Sequence, residues 1–256
     1  MADSAPILQI QQLTVTAGAR TLVREATLTI PTKKVFGFIG PSGAGKSTLL
    51  KSINRLVELT PNLRVIGQIL FHGKPVYGSG TDPDALRARI GILFQQPVVF
   101  PKSIYQNVIF GVKHLGEIPR REWPEAAERA LRETALWNEV KDRLKQPALR
   151  LSVGQQQRLC LARALASKPE VVLMDEPTSA LDPKSTEAIE ELMLRLREHH
   201  TLVVVTHNIR QARKVADELA FVGVREGVGQ VLCSGTAEEV LGSTNVSELE
   251  DFLCCQ

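Results

Sequence analysis

A glycine-rich segment near the N-terminus reads Gly40-Pro41-Ser42-Gly43-Ala44-Gly45-Lys46-Ser47-Thr48. It fits the pattern G-x-x-x-x-G-K-[ST], in which the backbone N–H groups of a tight turn point at phosphate oxygens and the lysine adds a positive charge. In this pattern the Ser47 hydroxyl is expected to bind Mg²⁺ and Thr48 to touch the α-phosphate. The alternative is a glycine-rich turn with a chance lysine, and the flanking residues distinguish the two.

The flanking residues provide the context that the pattern requires. Before the segment, Val35-Phe36-Gly37-Phe38-Ile39 is a continuous apolar run, typical of a strand buried between helices. After Lys46, apolar residues recur on one face of a helix, at Leu49, Leu50, Ile53, Leu56 and Val57. A strand, a phosphate-binding turn and a helix in this order favour a nucleotide site over a chance turn.

Patterns elsewhere predict an α/β fold. Apolar runs at 171–174 and 202–205 are each followed by helical periodicity, which indicates a parallel sheet with crossover helices. Apolar and polar residues alternate over the first thirty positions and again after Gly67, which predicts half-exposed antiparallel strands. Helical patterning dominates from about 96 to 166, as in a helical insertion. We expect a single domain over 7–233 and a C-terminal tail over 234–256.

Composition narrows the function classes. The 256 residues are 43% hydrophobic, and the formal net charge of +3 comes from interspersed charges of both signs. There is no basic stripe, so nothing indicates nucleic-acid binding. The cysteines lack metal-ligand spacing and we see no secretory leader, which favours a reducing cytosol. No apolar run approaches the ~18 residues of a membrane span, so a role at a membrane would require a partner. Cys254-Cys255 is either a regulatory pair or part of an unreactive tail.

Candidate catalytic residues follow the two later apolar runs. Asp175 and Glu176 end the first run, at the sheet edge where open α/β folds bind ligands. Asp175 suits Mg²⁺ through a water, and Glu176 suits polarisation of an attacking water. The alternative is a pair of acids that only face solvent. His207 follows the second run, where a functional role competes with that of an ordinary structural histidine.

Further motifs resemble those of the ABC ATPases. The segment 151–158, Leu-Ser-Val-Gly-Gln-Gln-Gln-Arg, is similar to the family signature, and 175–182 is similar to its acidic strand end and D-loop. Gln95 stands where the Q-loop glutamine of the family lies, and the resemblance spans at least Leu13 to Gly223. It implies a P-loop NTPase cassette with a RecA-like parallel-sheet core, an N-terminal antiparallel β subdomain and a helical insertion subdomain.

The resemblance also implies a homodimer. Two cassettes arranged head to tail would hold each ATP between the phosphate-binding segment of one copy and the signature of the other. Ser152, the N–H of Gly154 and Gln155 would then face the nucleotide of the partner, and Asp182 would couple the two sites. A Ser152…Gln155 capping box at the start of a helix is compatible with this role.

Within one copy, the resemblance implies roles for the remaining candidates. Gln95 would join Ser47 and Asp175 around Mg²⁺ and sense the γ-phosphate, which His207 would bind. Glu176 would activate the water. The expected cofactors are therefore ATP and Mg²⁺.

Two positions depart from the family pattern. Val153 replaces the first glycine of the usual LSGGQ signature, and we expect its side chain to point away from the nucleotide. The family usually stacks adenine on an aromatic residue ahead of the phosphate-binding segment, but counting back in register gives Ala17-Gly18, and positions 1–35 contain no aromatic residue. We therefore expect reduced nucleotide affinity and base selectivity. A regulatory cassette with weak turnover is an alternative interpretation.

Four segments are similar to the ATPases of phosphate-specific importers: 94–108, 135–144, 155–160 and 205–208. This resemblance implies a peripheral protein on the cytoplasmic face of the cell membrane. It would dock on two membrane-spanning permease subunits served by an extracytoplasmic phosphate-binding protein. Importers of other oxyanions or of amino acids are the nearest alternatives. A non-transport ABC ATPase is disfavoured because the chain has neither a long coiled-coil insertion nor tandem cassettes.

Overall fold

The computed structural model describes residues 6–78, 80–115, 118–243 and 245–254. Its strands are β1 (Leu8–Ala17), β2 (Arg20–Ile30), β3 (Val35–Ile39), β4 (Leu63–Phe71), β5 (Lys74–Pro75), β6 (Ile90–Leu93), β7 (Val171–Asp175), β8 (Thr201–Val205), β9 (Glu218–Arg225) and β10 (Val228–Thr236). Its α-helices are α1 (Lys46–Ile53), α2 (Pro83–Arg89), α3 (Ile104–Val108), α4 (Phe110–Leu115), α5 (Trp123–Glu133), α6 (Trp137–Val140), α7 (Val153–Leu165), α8 (Pro183–Leu196), α9 (Ile209–Val215), α10 (Ala237–Leu241) and α11 (Ser247–Cys254). Short 3-10 turns occur at Leu56–Leu59, Arg120–Glu122, Lys141–Arg143 and Ala148–Arg150.

These strands form one mixed sheet in the order β5-β4-β1-β2-β10-β9-β3-β8-β7-β6. Strands β9, β3, β8, β7 and β6 pair in parallel, and three of them, β3, β7 and β8, are those that the continuous apolar runs predicted. Strands β2, β1, β4 and β5 pair antiparallel, and the alternating pattern predicted the first three of these. Strand β10 joins the two parts because it pairs with β9 on one side and β2 on the other. The predicted α/β class is confirmed.

The central strands are buried on both faces of the sheet. Every residue of β3, β7 and β8 is buried, which explains why their sequences are continuous apolar runs. One apolar cluster packs α7 and α8 against the sheet and includes Leu159 and Met193. A second cluster packs α1 together with the antiparallel strands and includes Leu50 and Ile10.

Between β6 and β7 the chain forms the helices α3 to α7, in the segment where the sequence predicted a helical insertion. Helices α3 and α5 pack on α7, and Val108, Leu131 and Leu159 belong to their shared apolar cluster. In the part of the chain that the structure describes, every helix is too short or too polar to cross a bilayer.

The C-terminal residues pack on the same sheet. Strand β10 extends to Thr236, past position 233, and α10 and α11 follow it. The ring of Phe252 lies 5.6 Å from that of Phe221, and Arg225 Nε donates to Glu248 Oε1 at 2.7 Å. The tail therefore has its own apolar contact with β9. Of the two adjacent tail cysteines, Cys254 is exposed and Cys255 lies outside the described residues.

Candidate nucleotide site

The glycine-rich segment forms the turn between β3 and α1. Gly40, Gly43 and Gly45 have φ angles of 140°, 80° and 90°, which residues with a side chain rarely adopt. A Cβ on Gly40 would lie 2.1 Å from the Val222 carbonyl oxygen, and one on Gly45 would lie 2.5 Å from Val23 Cγ2. The turn is therefore held closely between β9 and β2.

Lys46 begins α1 and is only 4% exposed. Its Nζ donates to the carbonyl oxygens of Gly40 and Pro41 at 2.7 and 2.8 Å. Burial lowers the pKa of this ammonium, and the nearby carboxylates of Glu176 and Asp175 oppose that effect. A buried cation beside a helix N-terminus makes the turn suited to binding an anion.

Ser47 and Asp175 bring two oxygen atoms together at the end of β7. Ser47 Oγ donates to Asp175 Oδ1 at 2.6 Å, and Lys51 Nζ lies 3.1 Å from Asp175 Oδ2. Hydroxyl and carboxylate oxygens suit Mg²⁺, which commonly binds one or two protein oxygens together with substrate phosphates and water. Within the described residues, no group of three or more His, Cys, Asp or Glu side chains is arranged to hold a metal. The Ser47–Asp175 pair fits a cation that a nucleotide helps to bind.

The sequence motifs did not identify Lys51 as a residue of this site. It lies on α1 four positions after Ser47, a spacing that puts both side chains on one helix face. That spacing is the signal that could have found it.

Gln95, Glu176 and His207 meet where β6, β7 and β8 end. Gln95 Nε2 donates to Glu176 Oε2 at 3.2 Å, and His207 Nδ1 lies 3.2 Å from Glu176 Oε1. Glu176 has a φ of 47°, and its N–H donates to the Val205 carbonyl oxygen at 3.0 Å. A left-handed backbone at a non-glycine residue persists only where the surroundings fix it, and such residues cluster at functional sites. The structure thus brings the three candidate catalytic side chains together.

An open cleft of about 400 Å³ connects the turn with Gln95 and Glu176, whereas His207 and Asp175 do not line it. Predicted site residues that line it are Ser42, Gly43, Gly45, Lys46, Ser47, Thr48, Gln95 and Glu176. Ala44 is buried beneath the turn. The cleft is also lined by Arg20, Thr21, Leu22 and Gly227, which the sequence did not indicate. Arg20 pairs across the β1–β2 hairpin with Ala17, the position reached by counting back from the turn.

The signature residues lie elsewhere: Ser152, Gly154, Gln155 and Asp182 do not line this cleft. The predicted capping box at the start of α7 is confirmed. Ser152 N–H donates to Gln155 Oε1 at 3.0 Å, and Gln155 N–H donates to Ser152 Oγ at 3.4 Å. Val153 is 49% exposed.

Glu139 fixes the side chain of Gln155. Gln155 Nε2 donates to Glu139 Oε2 and Arg158 Nη1 donates to Glu139 Oε1, both at 2.7 Å. Burial tends to raise the pKa of Glu139, but the hydrogen bonds from Arg158 and Gln155 outweigh it and hold the pKa below its ordinary value. Glu139 was not among the predicted site residues, because no local motif links it to the signature.

Asp182 caps α8, and the first turn of α8 lies close to the start of α7. Ser185 donates from its N–H to Asp182 Oδ1 at 3.0 Å and from its Oγ to Asp182 Oδ2 at 2.6 Å, and these hydrogen bonds lower the pKa of Asp182. A Cβ on Gly154 would lie 2.6 Å from Ser185 Oγ. Glycine at 154 therefore allows the signature to approach the D-loop within one chain.

The sequence model of a known protein family matches the part of the chain that forms this site. The model described as ABC transporter matches residues 23–179, a range that includes the phosphate-binding turn, Gln95, the signature and Glu176. The chain belongs to the ABC transporter family. Its sheet and helices are those of an ABC cassette, as the motifs predicted.

Known relatives of this ABC cassette are similar over most of its length. One is Phosphate import ATP-binding protein PstB 2 of Synechococcus sp. (strain JA-2-3B'a(2-13)), 48% identical over 246 residues, with 96% of this chain and 87% of that protein covered. Another is Phosphate import ATP-binding protein PstB of Colwellia psychrerythraea, 52% identical over 215 residues, with 84% and 77% covered. The solved structure of cbiO1 from Clostridium perfringens, part of the ABC transporter complex cbiONQ, superimposes with a TM-score of 0.78 at 30% identity, covering 92% of this chain and 90% of that one.

Proposed function

We propose that this chain is the ATP-hydrolysing subunit of an ABC importer and that it energises the uptake of inorganic phosphate. The observation that carries the ATPase proposal is the convergence of a phosphate-binding turn with Gln95 and Glu176 in one cleft, where Glu176 also contacts His207. The cargo is proposed from similarity to relatives named as phosphate import ATP-binding proteins. No residue of this chain is assigned to binding the transported phosphate.

The phosphates of ATP would bind at the turn. Lys46 Nζ would exchange the carbonyl oxygens of Gly40 and Pro41 for phosphate oxygens, which form stronger, charge-assisted hydrogen bonds. The backbone N–H groups at the start of α1 would add to this binding. Ser47 and Asp175 would hold Mg²⁺, with Gln95 nearby, and the bound cation would neutralise charge on the phosphates.

Glu176 is the proposed general base. Its carboxylate accepts a hydrogen bond from Gln95 and contacts His207, so both oxygens are held in place before the nucleotide binds. A water positioned for in-line attack on the γ-phosphate would donate its proton toward this carboxylate, and His207 would bind a γ-phosphate oxygen. Positioning and electrostatics of this kind account for most of the catalysis of phosphoryl transfer.

A second copy of the chain would complete the site. Ser152 and Gly154 stand at the start of α7, a helix of 13 residues whose N-terminal N–H groups suit phosphate, yet they do not line the cleft of their own chain. In a head-to-tail homodimer, they would reach the nucleotide held by the partner. Asp182, against α7 through Ser185, would relay closure between the two sites.

The homodimer is proposed to bind the cytoplasmic face of the cell membrane, peripherally, through two membrane-spanning permease subunits. An extracytoplasmic phosphate-binding protein would deliver the solute. The surface offered to the permease subunits is proposed to be the helical insertion from α3 to α6, because it lies between Gln95 and the signature. Movement there would be transmitted to both halves of the composite site.

The ATPase proposal is tested by comparing purified wild-type protein with Glu176→Gln. We expect the variant to lose steady-state hydrolysis by about a hundredfold or more, because the general base is removed. It should still bind ATP and should form an ATP-dependent dimer in gel filtration. Glu198→Gln, which changes an exposed carboxylate after α8, is the control and should hydrolyse ATP normally. Equal, negligible rates in wild type and Glu176→Gln would instead indicate a regulatory cassette.

The cargo is tested separately in a strain that lacks this chain. Expression of the chain together with its permease partners should restore uptake of radiolabelled phosphate. Expression of Glu176→Gln in the same strain should not. Restored uptake of another oxyanion or of an amino acid, without phosphate uptake, would contradict the cargo and leave the ATPase proposal intact.

A further inference from the structure

A planar cation lines the cleft in a chain that lacks the expected aromatic residue. Arg20 is exposed and lines the cleft together with Lys46 and Glu176. Among the described residues its guanidinium has no hydrogen-bond, ion-pair or aromatic partner. Arg24 on the same strand differs, because its Nη1 pairs with Glu226 Oε2 at 3.1 Å. Arg20 is therefore a charged group of the cleft whose position no contact among the described residues explains.

Strand β2 sets how far Arg20 lies from the phosphate-binding turn. The Leu22 carbonyl oxygen is 3.3 Å from the position that a Cβ on Gly45 would take, so β2 approaches the turn closely at Leu22. Arg20 lies two residues before Leu22, at the start of β2, and is about 6–7 Å from it along the strand. Side chains two residues apart point to the same face of a strand, so Arg20 and Leu22 share a face. Arg20 thus lies beyond the phosphate end of the cleft, where the nucleoside of a bound nucleotide would extend.

The hairpin beside Arg20 carries little side-chain bulk. Ala17, directly across the hairpin, has only a methyl side chain. A Cβ added to Gly18 would meet nothing within 4 Å. A phosphate role for Arg20 is disfavoured, because the turn already presents Lys46 and the start of α1 to an anion. A planar guanidinium next to open space is suited to lie against an aromatic face.

We propose that the guanidinium of Arg20 stacks on the base of the bound nucleotide and is the base-binding group of this site. The inference rests on the proposed function, in which the nucleotide phosphates lie at the turn around Lys46. A guanidinium is planar and delocalised, and its charge is attracted to the face of an aromatic ring. Stacking does not read the edge of a base, so this contact discriminates little between adenine and guanine.

The test compares two ligands that differ in whether they carry a base. Binding of ADP and of inorganic pyrophosphate, each with Mg²⁺, is measured by isothermal titration calorimetry. These ligands are chosen because neither has a γ-phosphate that the protein could hydrolyse during the titration. We expect Arg20→Ala to weaken ADP binding about three- to tenfold. Pyrophosphate binding should change by less than about twofold, because the phosphate contacts are retained. Arg24→Ala, which removes the same charge from the same strand, should leave both affinities unchanged.

Arg20→Lys separates stacking from charge. Lysine keeps the positive charge but has no planar group, so ADP binding should be weakened nearly as much as in Arg20→Ala. Full ADP affinity in Arg20→Lys, an unchanged affinity in Arg20→Ala, or an equal loss for ADP and pyrophosphate would each overturn the inference. If the wild-type protein bound neither ligand, the proposed function itself would fail. Binding of both ligands without the expected pattern would remove only the role of Arg20.

Discussion

Two glycines of the phosphate-binding turn should differ in their tolerance of alanine. In Gly40→Ala the new Cβ would lie 2.1 Å from the carbonyl oxygen of Val222 and 3.0 Å from its carbonyl carbon. In Gly43→Ala the new Cβ would meet nothing within 4 Å. Both positions have positive φ, at 140° and 80°. Backbone strain is therefore common to the two variants, and the steric conflict belongs to Gly40 alone.

The expected magnitudes follow from these two terms. A residue with a Cβ in a left-handed conformation costs roughly 1–2 kcal/mol, so Gly43→Ala should lower the free energy of unfolding by about that amount. At Gly40 the Cβ meets backbone atoms of β9, which can move only if the strand shifts. Overpacking of this kind adds about 1–3 kcal/mol, so we expect Gly40→Ala to lower the free energy of unfolding by about 2–5 kcal/mol in total. That is a large share of the ~5–15 kcal/mol that stabilises a typical domain.

The assay is urea denaturation of the purified wild-type protein and both variants, followed by circular dichroism. The slope of free energy against urea should be the same in all three, so that the midpoints report stability. Equal losses in the two variants, or a larger loss for Gly43→Ala, would refute the argument that close approach to β9 requires glycine at 40. Aggregation of Gly40→Ala during expression, with Gly43→Ala well folded, would agree with it.

Three other variants test the site. Glu139→Gln should slow ATP hydrolysis about tenfold with unchanged ADP affinity, because it weakens a charged hydrogen bond to Gln155. Glu128→Gln, which changes a carboxylate in an exposed ion pair, is the control, and an equal loss of hydrolysis in that variant would contradict the role of Glu139. Ala17→Tyr should tighten ATP binding about fivefold or more by adding a stacking ring, which a titration that shows no change would contradict. Lys51→Met should lower the Mg²⁺ concentration that gives half-maximal hydrolysis about threefold, because it removes a cation that competes for Asp175. A higher Mg²⁺ concentration for half-maximal hydrolysis would contradict this expectation.

The features that were predictable from the sequence depend on local chemistry. The strand–turn–helix context of Lys46 can be recognised within some twenty neighbouring residues, because apolar runs and helical periodicity are local patterns. The capping box of α7 requires only Ser152 and Gln155, three positions apart, and the structure contains it. Asp182 followed by Pro183 is a local helix-start signal of the same kind, and α8 begins there. Each of these predictions needed no knowledge of strand order.

The residues that sequence reasoning missed depend on which elements become neighbours. Arg20 lines the cleft because β10 pairs with both β9 and β2, which brings the β1–β2 hairpin beside the turn. Glu139 meets Gln155 because α6 packs near the start of α7, although no spacing rule connects the two positions. Alternating or apolar patterns indicate that strands exist and which face is buried, but they do not specify the partner across a sheet.

A buried amide links the signature helix to the catalytic side chains within one chain. Gln157, on α7, is only 1% exposed, and its Nε2 donates to the carbonyl oxygens of Phe94 and Pro177 at 3.2 and 3.0 Å. Phe94 immediately precedes Gln95, and Pro177 immediately follows Glu176. A shift of α7 relative to the sheet would therefore strain two hydrogen bonds of a buried side chain, next to Gln95 and Glu176, and leaving such groups unpaired is costly. These two hydrogen bonds couple the position of α7 to that of Gln95 and Glu176. In the proposed homodimer, the signature that one copy would offer its partner would therefore be positioned relative to the proposed general base, Glu176, of the same copy.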